Sequence, residues 1–187
     1  MTVYKPTVYK TRLSLLALIA VGTLAGCSTT SPKVADVSGN IRSALDQAGL
    51  KNVSEAQDRD KGVVTLGGQV ARDDDKAQAE SIATSLAGNQ VVSNQIAVVP
   101  PGVESAAKTV NSDLDKGIAS NLDAALIGAR LHETVNYAVK NHVVTLTGDV
   151  DTQTKRAQAE QLASAVLNVQ QVVNELQIKA QKATSSN

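Results

Sequence analysis

Apolar residues recur with helical spacing at two places in the chain. Each stripe has apolar residues at i, i+3, i+4 and i+7, which lie along one side of a helix. The first stripe consists of Ala79, Ile82, Ala83 and Leu86, and the second of Ala159, Leu162, Ala163 and Val166. Both segments are predicted to be amphipathic helices. We expect caps at Asp73 or Asp74 and at Thr152, and helix ends at Gly88 and Asn168.

Another helix and two strands are predicted before each of these helices. The two earlier helices are indicated by Val37, Ile41, Ala44, Leu45 and Ala48 before Gly49, and by Leu114, Ile118, Leu122, Ala125 and Leu126 before Gly128. Alternation marks a strand at Val135, Tyr137 and Val139, and comparable positions are held by Val53, Glu55 and Gln57. Turn residues at 60–62 and 140–142 then precede Val-Val-Thr-Leu strands, which predicts a hairpin in each half.

The two halves are copies of one unit. Residues 62–98 align without a gap on residues 142–178, at a constant offset of 80 residues. A last strand is predicted at 91–98 and again at 172–178, and a strand-helix-strand connection of this length implies a right-handed parallel crossover. The predicted fold class is therefore α+β, with two tandem α-β-β-α-β domains. Each is a three-stranded mixed sheet with two helices on one face. Pro100-Pro101-Gly102 joins the copies.

The N-terminal residues are typical of a bacterial secretory signal. Lys5, Lys10 and Arg12 give a positive region, and an apolar run follows from Leu13 to Ala25. The run is shorter than the roughly 20 apolar residues that span a bilayer, so a retained membrane anchor is disfavoured. The segment Leu24-Ala25-Gly26-Cys27 resembles a bacterial lipobox.

The lipobox resemblance implies that the Cys27 thiol receives a diacylglycerol and that the new amine is acylated, with palmitate as one of the chains. Such an anchor is firm, because each buried CH₂ contributes roughly 0.8 kcal/mol. Ser28 after the cysteine implies sorting to the outer membrane, facing the periplasm. The alternative is a bare thiol beside an ordinary cleavage site.

Composition excludes several classes of function. The chain of 187 residues has 18 basic and 18 acidic residues and no Phe or Trp, so neither charge nor stacking aromatics favour nucleic-acid binding. One cysteine and two histidines are too few for a Cys/His zinc cage, and no internal disulfide is possible. We expect no catalytic residues, no metal site and no cofactor. His132 and His142 are predicted to face solvent, and Asp73-Asp74-Asp75 is explained by helix capping.

Two motifs in each copy resemble the BON domain. The first is V-T-L-x-G-x-V, at 64–70 and 144–150, and the second is V-x-N-x-[IL]-x-[VI], at 92–98 and 172–178. Gly68 and Gly148 in the first motif are predicted to allow a bulge or the close approach of a helix. Asn94 and Asn174 in the second are predicted to bond to backbone.

Two such domains behind a lipobox are similar to dual-BON outer-membrane lipoproteins. This resemblance implies a non-enzymatic envelope protein that supports membrane integrity and stress resistance, with anionic phospholipid as the expected ligand. The predicted segments are a leader at 1–26, a lipidated tether at 27–36, the first domain at 37–99, a linker at 100–110, the second domain at 111–179 and a disordered tail at 180–187. The alternative function is a protein-interaction adaptor for an envelope assembly machine, whose membrane contact is the anchor alone.

The family resemblance also implies where lipid is bound, at the start of the second domain's first helix. Leu114 and Ile118 are expected to insert, while Lys116 and the free N–H groups near Gly117 meet a phosphate. Asp113 and Asp115 would repel an anionic headgroup. The alternative is that Leu114 and Ile118 simply face the core.

Overall fold

The computed structural model of the protein describes residues 33–179, which belong to one compact unit spanning Ser31–Asn187. The predicted leader, Cys27, most of the predicted tether and the predicted tail lie outside the described residues. Within residues 33–179, no helix is long and apolar enough to cross a membrane.

Each copy consists of two helices and a small sheet. The first copy contains α1 (Ser38–Gln47), β1 (Val53–Asp58), β2 (Val63–Val70), α2 (Asp73–Ala87), β3 (Val91–Asn94) and β4 (Ala97–Val98). The second contains α3 (Glu104–Gly128), β5 (Val135–Lys140), β6 (Val143–Val150), α4 (Gln153–Ser164), β7 (Gln171–Asn174) and β8 (Gln177–Ile178). Two tandem α+β units are thus confirmed.

The two sheets have the same topology. In the first copy β2 is central, with β1 antiparallel on one side and with β3 and β4 parallel on the other. The second copy repeats this arrangement around β6. The predicted third strand is present in both copies, but it is interrupted at two residues. β3 and β4 are therefore one strand in two parts, as are β7 and β8.

The paired asparagines account for this interruption. Asn94 Oδ1 accepts a hydrogen bond from the backbone N–H of Ile96 at 3.3 Å, which turns the chain between β3 and β4. Its Nδ2 donates to Glu80 Oε2 at 2.9 Å and to the Lys76 carbonyl at 3.4 Å. Asn174 makes the same three kinds of contact in the second copy. The predicted backbone bonds are therefore present, and each asparagine also ties its strand to the preceding helix.

A separate apolar core lies under each sheet. The buried side of α2 consists of Ala79, Ala83 and Ala87, which pack with side chains of α1 and of alternate strand positions. The second copy has an equivalent core around Leu122, Leu126 and Leu146. Small residues on α2 and α4 let these helices approach their sheets closely. The helical stripes differ from the prediction at Leu86, which is 37% exposed.

The helix ends agree only in part with the sequence patterns. Thr152 caps α4, since its hydroxyl accepts from the Lys155 N–H at 3.2 Å. Asp73 and Asp74 do not cap α2, because both lie in its first turn, where they stabilise the helix dipole instead. Gly88 ends α2 as expected, but α4 ends at Ser164, before Asn168.

The early end of α4 coincides with a larger side chain. Leu167 holds the position of the buried Ala87 of the first copy. The bulky side chain is 76% exposed, and the chain leaves the helix before it.

Gly68 and Gly148 are required by a close backbone approach. Their φ angles are +92° and +117°. A Cβ at Gly68 would collide with the Asn52 carbonyl, and one at Gly148 with the Thr134 carbonyl. The neighbour is the chain that enters β1 or β5, not a helix.

The first helix of the second copy is much longer than its counterpart. α3 begins at Glu104, inside the predicted linker at 100–110, because no helix breaker follows Gly102. The carboxylate of Glu104 also accepts from the Gly102 N–H at 2.9 Å, which stabilises the helix start. We call residues 104–117 the arm, because this part of α3 precedes Ile118 and the buried stripe that corresponds to α1.

Candidate functional site

The two copies meet where β3 of the first copy lies beside β7 of the second. Gln171 bridges these two strands with its side chain: Oε1 accepts from the Asn94 N–H at 2.9 Å, and Nε2 donates to the Val92 carbonyl at 2.6 Å. A small apolar cluster of Val63, Val143 and Val173 is buried nearby. The Gln171 side chain thus pairs with backbone groups at the edge of β3, which another strand would otherwise be able to pair with.

Two further contacts between the copies involve equivalent positions of the repeat. Lys61 Nζ donates to Glu175 Oε2 at 2.7 Å, and Asn141 Nδ2 donates to the Gln95 carbonyl at 2.7 Å. Lys61 and Asn141 are equivalent positions of the repeat, as are Gln95 and Glu175. The interface therefore approximates the self-complementary contact of a two-fold dimer. The hydrogen bond to Glu175 raises the pKa of Lys61, so this contact persists through neutral pH.

The hairpin turn of the second copy connects several elements at this interface. Asn141 and His142 both have positive φ, at 47° and 66°, as a two-residue type I′ turn requires. The Asp115 carboxylate on α3 accepts from both backbone N–H groups, at 2.8 Å and 2.9 Å. Asp115 thus holds the turn, while the Asn141 side chain reaches the first copy.

A cleft of about 640 Å³ opens between the arm and the first copy, a size typical of small-molecule sites. We call this space the cleft. Its apolar lining consists of Ala97 in β4, Val99 just after β4, and Tyr137 and Val139 in β5. Burial raises the pKa of Tyr137, and the nearby Asp123 adds to the shift. The phenol therefore stays neutral under physiological conditions.

Three lysines, Lys108, Lys116 and Lys140, also line the cleft. Lys116 Nζ lies 3.0 Å from Asp113, and both side chains are largely exposed. Within residues 33–179, Lys108 and Lys140 form no salt bridge. One carboxylate, that of Asp115, also lines the cleft; it accepts two backbone N–H groups, and its charge offsets one of the three lysines. The cleft therefore combines an apolar lining with a surplus of positive charge.

The opposite side of the arm is apolar and open. Its residues follow the helical spacing of one face: Val103 just before the helix, then Ala106, Ala107, Val110, Leu114 and Gly117. We call this set the arm face. Val110 is 57% exposed and Val103 is 47% exposed. The residues of α3 that line the cleft also recur with helical spacing, but on another side of the helix. They are residues 108, 111, 112, 115, 116 and 119.

The predicted lipid-contact residues do not come together as one site. Ile118 is 2% exposed and belongs to the core, so it cannot insert as predicted. Leu114 is half-buried on the arm face, Gly117 is exposed there, and Lys116 lines the cleft. These residues lie in the middle of α3, where their N–H groups are used within the helix. The prediction of free N–H donors is therefore wrong.

Sequence reasoning missed Val110 and Lys108, because the helix is predicted to begin near residue 111. It missed Lys140 because this residue, at the end of β5, meets the cleft only in the folded protein. The absence of a breaker between Gly102 and Asn111 is the signal that would have revealed the longer helix.

The two histidines differ in their surroundings. His132 is exposed, as predicted. His142 is half-buried, and its Nε2 is shielded from solvent without a hydrogen-bond partner among the described residues. The prediction that His142 faces solvent is wrong, because the turn is packed between the copies. Among residues 33–179, no group of three or more His, Cys, Asp or Glu side chains is arranged to hold a metal ion.

Comparison with known proteins identifies the repeated unit. The BON domain profile matches residues 33–100 and again residues 114–180. No curated protein sequence matches the chain significantly.

Two solved structures of CdsD, a structural protein of the type III secretion system of Chlamydia trachomatis, resemble the chain. The first, of the C-terminal domain, is 15% identical, covers 77% of this chain and 66% of its own, and has a TM-score of 0.30. The second is 12% identical, covers 75% of this chain and 90% of its own, and has a TM-score of 0.33.

Proposed function

Because this chain belongs to the BON-domain family and carries two copies of the domain, we propose that it is a non-enzymatic, lipid-anchored envelope protein that binds anionic phospholipid. Its role is to support outer-membrane integrity and stress resistance. The observation that carries the proposal is the arm face, an exposed apolar surface on a helical extension that the first copy does not have.

The arm face has the chemistry of a membrane-contact surface. Val103, Val110 and Leu114 offer aliphatic side chains, and no charged residue lies between them on that side of the helix. Lys108 and Lys116, on the cleft side of the same helix, add positive charge near this surface. Partial insertion of the arm face therefore buries apolar area, and the lysines favour anionic headgroups.

Anchoring at Cys27 would keep this surface at the membrane. Acylation converts each encounter between the arm and the bilayer into an intramolecular event, so a weak contact suffices. Intact-mass analysis of the mature protein from a membrane fraction is expected to show acyl chains on Cys27. A bare thiol on membrane-bound protein would contradict the anchor.

We expect Val110→Asp to weaken binding to vesicles at least tenfold. The substitution removes an aliphatic side chain worth about 1.5 kcal/mol on burial and adds a charge that anionic lipid repels. A chain of residues 31–187 contains both cores and lacks Cys27, so cosedimentation with phosphatidylglycerol vesicles measures the arm alone.

Ile127→Asp is the matched control for this experiment. Ile127 is 54% exposed and lies on the same helix, but outside the arm. It should leave vesicle binding unchanged apart from the effect of one added charge. Equal losses for the two variants would indicate non-specific electrostatics. Failure of the unmodified chain to cosediment at low salt would instead support the adaptor function, with a protein on the arm face.

A further inference from the structure

We propose that the cleft is a docking site for an acidic peptide segment of a partner protein, which adds a strand to the free edge of β5 and meets Lys140 with a carboxylate. The recognition element is the edge of a strand, not the arm face. The inference therefore does not depend on bilayer binding by the arm.

β5 lies at the end of its sheet, so one of its edges is not paired with another strand. The two residues that flank the two-residue turn exchange hydrogen bonds with each other, and pairing alternates from there. Tyr137 and Val139 therefore direct their backbone N–H and C=O groups away from β6. Val135 follows the same alternation, since its N–H donates to the Leu131 carbonyl at 2.9 Å, outside the sheet. Because the side chains of Tyr137 and Val139 line the cleft, these backbone groups lie beside it.

The first copy shows that a peptide segment fits beside the equivalent strand. We call residues 33–37 the strap; they precede α1 and form no helix. Val34 donates its N–H to the Arg59 carbonyl, just past β1, at 3.1 Å, and the Val34 carbonyl accepts from Arg59 Nε at 2.9 Å. The Gln57 side chain bonds to the backbone of two further strap residues, at 2.8 Å and 3.1 Å. The chain itself thus covers this part of β1.

The second copy has no strap beside β5. Val139 is the counterpart of Gln57, because Val139 pairs with Val144 where Gln57 pairs with Val64. The residues that precede the buried stripe of α3 continue the helix as the arm, and they do not cross to the strand. The cleft beside Val139 therefore corresponds to the space that the strap fills beside Gln57.

The charges around the cleft determine which peptide it accepts. In the first copy, Lys33 of the strap pairs with Asp60 of the turn at 3.2 Å. In the second copy β5 ends in Lys140, which forms no salt bridge within residues 33–179. Asp115 offsets only one of the three lysines that line the cleft. A carboxylate at the position of the strap lysine therefore complements the cleft, whereas a lysine there is repelled.

The test uses two end-capped peptides that copy the strap. The first, Glu-Val-Ala-Asp-Val, has glutamate in place of the strap lysine, and the second, Lys-Val-Ala-Asp-Val, keeps the lysine. Each is titrated into isotopically labelled residues 31–187 and followed by NMR. We expect the glutamate peptide to bind about fivefold more tightly than the lysine peptide and to shift the amide signals of Tyr137 and Val139. The same glutamate peptide with an N-methylated backbone cannot donate to a strand edge, so it should bind about fivefold more weakly.

Lys140→Glu should reverse the preference between the two peptides, because it inverts the charge at the end of β5. The matched control is Lys51→Glu, which changes an exposed lysine outside the cleft and should leave both affinities unchanged. Absence of binding by the glutamate peptide, or a Lys140→Glu variant that still prefers it, would overturn the proposal. Equal binding of the N-methylated peptide would also overturn it, because the cleft would then attract anions without pairing a strand.

The outcome is distinguishable from that of the vesicle experiment. Val110→Asp should impair vesicle cosedimentation and leave peptide binding unchanged, since Val110 does not line the cleft. Lys140→Glu should change the peptide preference and leave vesicle cosedimentation unchanged apart from the effect of its charge, since Lys140 is on β5 and not on the arm.

Discussion

Replacing Gly148 by alanine is expected to lower the free energy of unfolding by about 3 kcal/mol. A φ of +117° costs any residue with a Cβ roughly 1–2 kcal/mol, and the Thr134 carbonyl occupies the space that the methyl group needs. Relief of that collision requires β5 to move away from β6, which adds a similar penalty. Chemical denaturation followed by circular dichroism measures the loss.

Gly117→Ala is the control with the opposite expected sign. Gly117 lies inside α3 with open space around its Cα, so alanine should stabilise the helix by about 1 kcal/mol. Gly68→Ala should destabilise the first copy as Gly148→Ala does the second, because the Asn52 carbonyl blocks the equivalent position. Tolerance of alanine at both strand glycines would contradict the packing described for the start of β1 and β5.

The repeat made most of the fold predictable from the sequence. Helical stripes, alternating strands and the offset of 80 residues each report local geometry, so the α-β-β-α-β order followed from them. The glycine pair was predicted to lie at a close approach, although the neighbour is backbone rather than a helix. Boundaries were less accurate. The start of α3 was missed because its first turns bury no face and directly follow Pro100-Pro101-Gly102, so residues 100–110 were predicted to be a linker.

The interface between the copies left only an indirect signal. Positions where the two copies differ include Val91 and Gln171, Lys61 and Asn141, and Gly62 and His142. Gln171, Lys61, Asn141 and His142 all lie at the junction. The repeat is broken at these positions, where the two sides of an inexact two-fold contact have different neighbours. The repeat in the sequence identifies the core that the two copies share. It does not show which of the differing residues contact each other.

The cleft was not predictable for the same reason. Its lysines are separated along the chain, and Lys108 lies in a segment that was expected to be a linker. Lys108 and Lys140 line one cleft only because the arm continues α3 beside the first copy. One side of the arm is exposed and apolar, and the other side forms a wall of the cleft.

We expect Asp115→Ala to reduce stability by about 2–4 kcal/mol and to uncouple the two copies. The substitution leaves the Asn141 and His142 N–H groups without their charged acceptor, and each such bond contributes roughly 1.5–3 kcal/mol. The turn already holds two residues at positive φ, so its conformation depends on this support. Denaturant unfolding should change from one transition to two, and amide exchange at Asn141 and His142 should accelerate.

Asp115→Asn retains one acceptor oxygen, so the stability lost in this variant should be greater than zero but smaller than in the alanine variant. Asp113→Ala is the matched control, because this exposed aspartate on the same helix makes only the i, i+3 pair with Lys116 and should cost less than about 0.5 kcal/mol. An equal cost for the two alanine variants would mean that the turn needs no carboxylate. A single unfolding transition for Asp115→Ala would mean that the Gln171 bridge and the valine cluster hold the copies together without the turn.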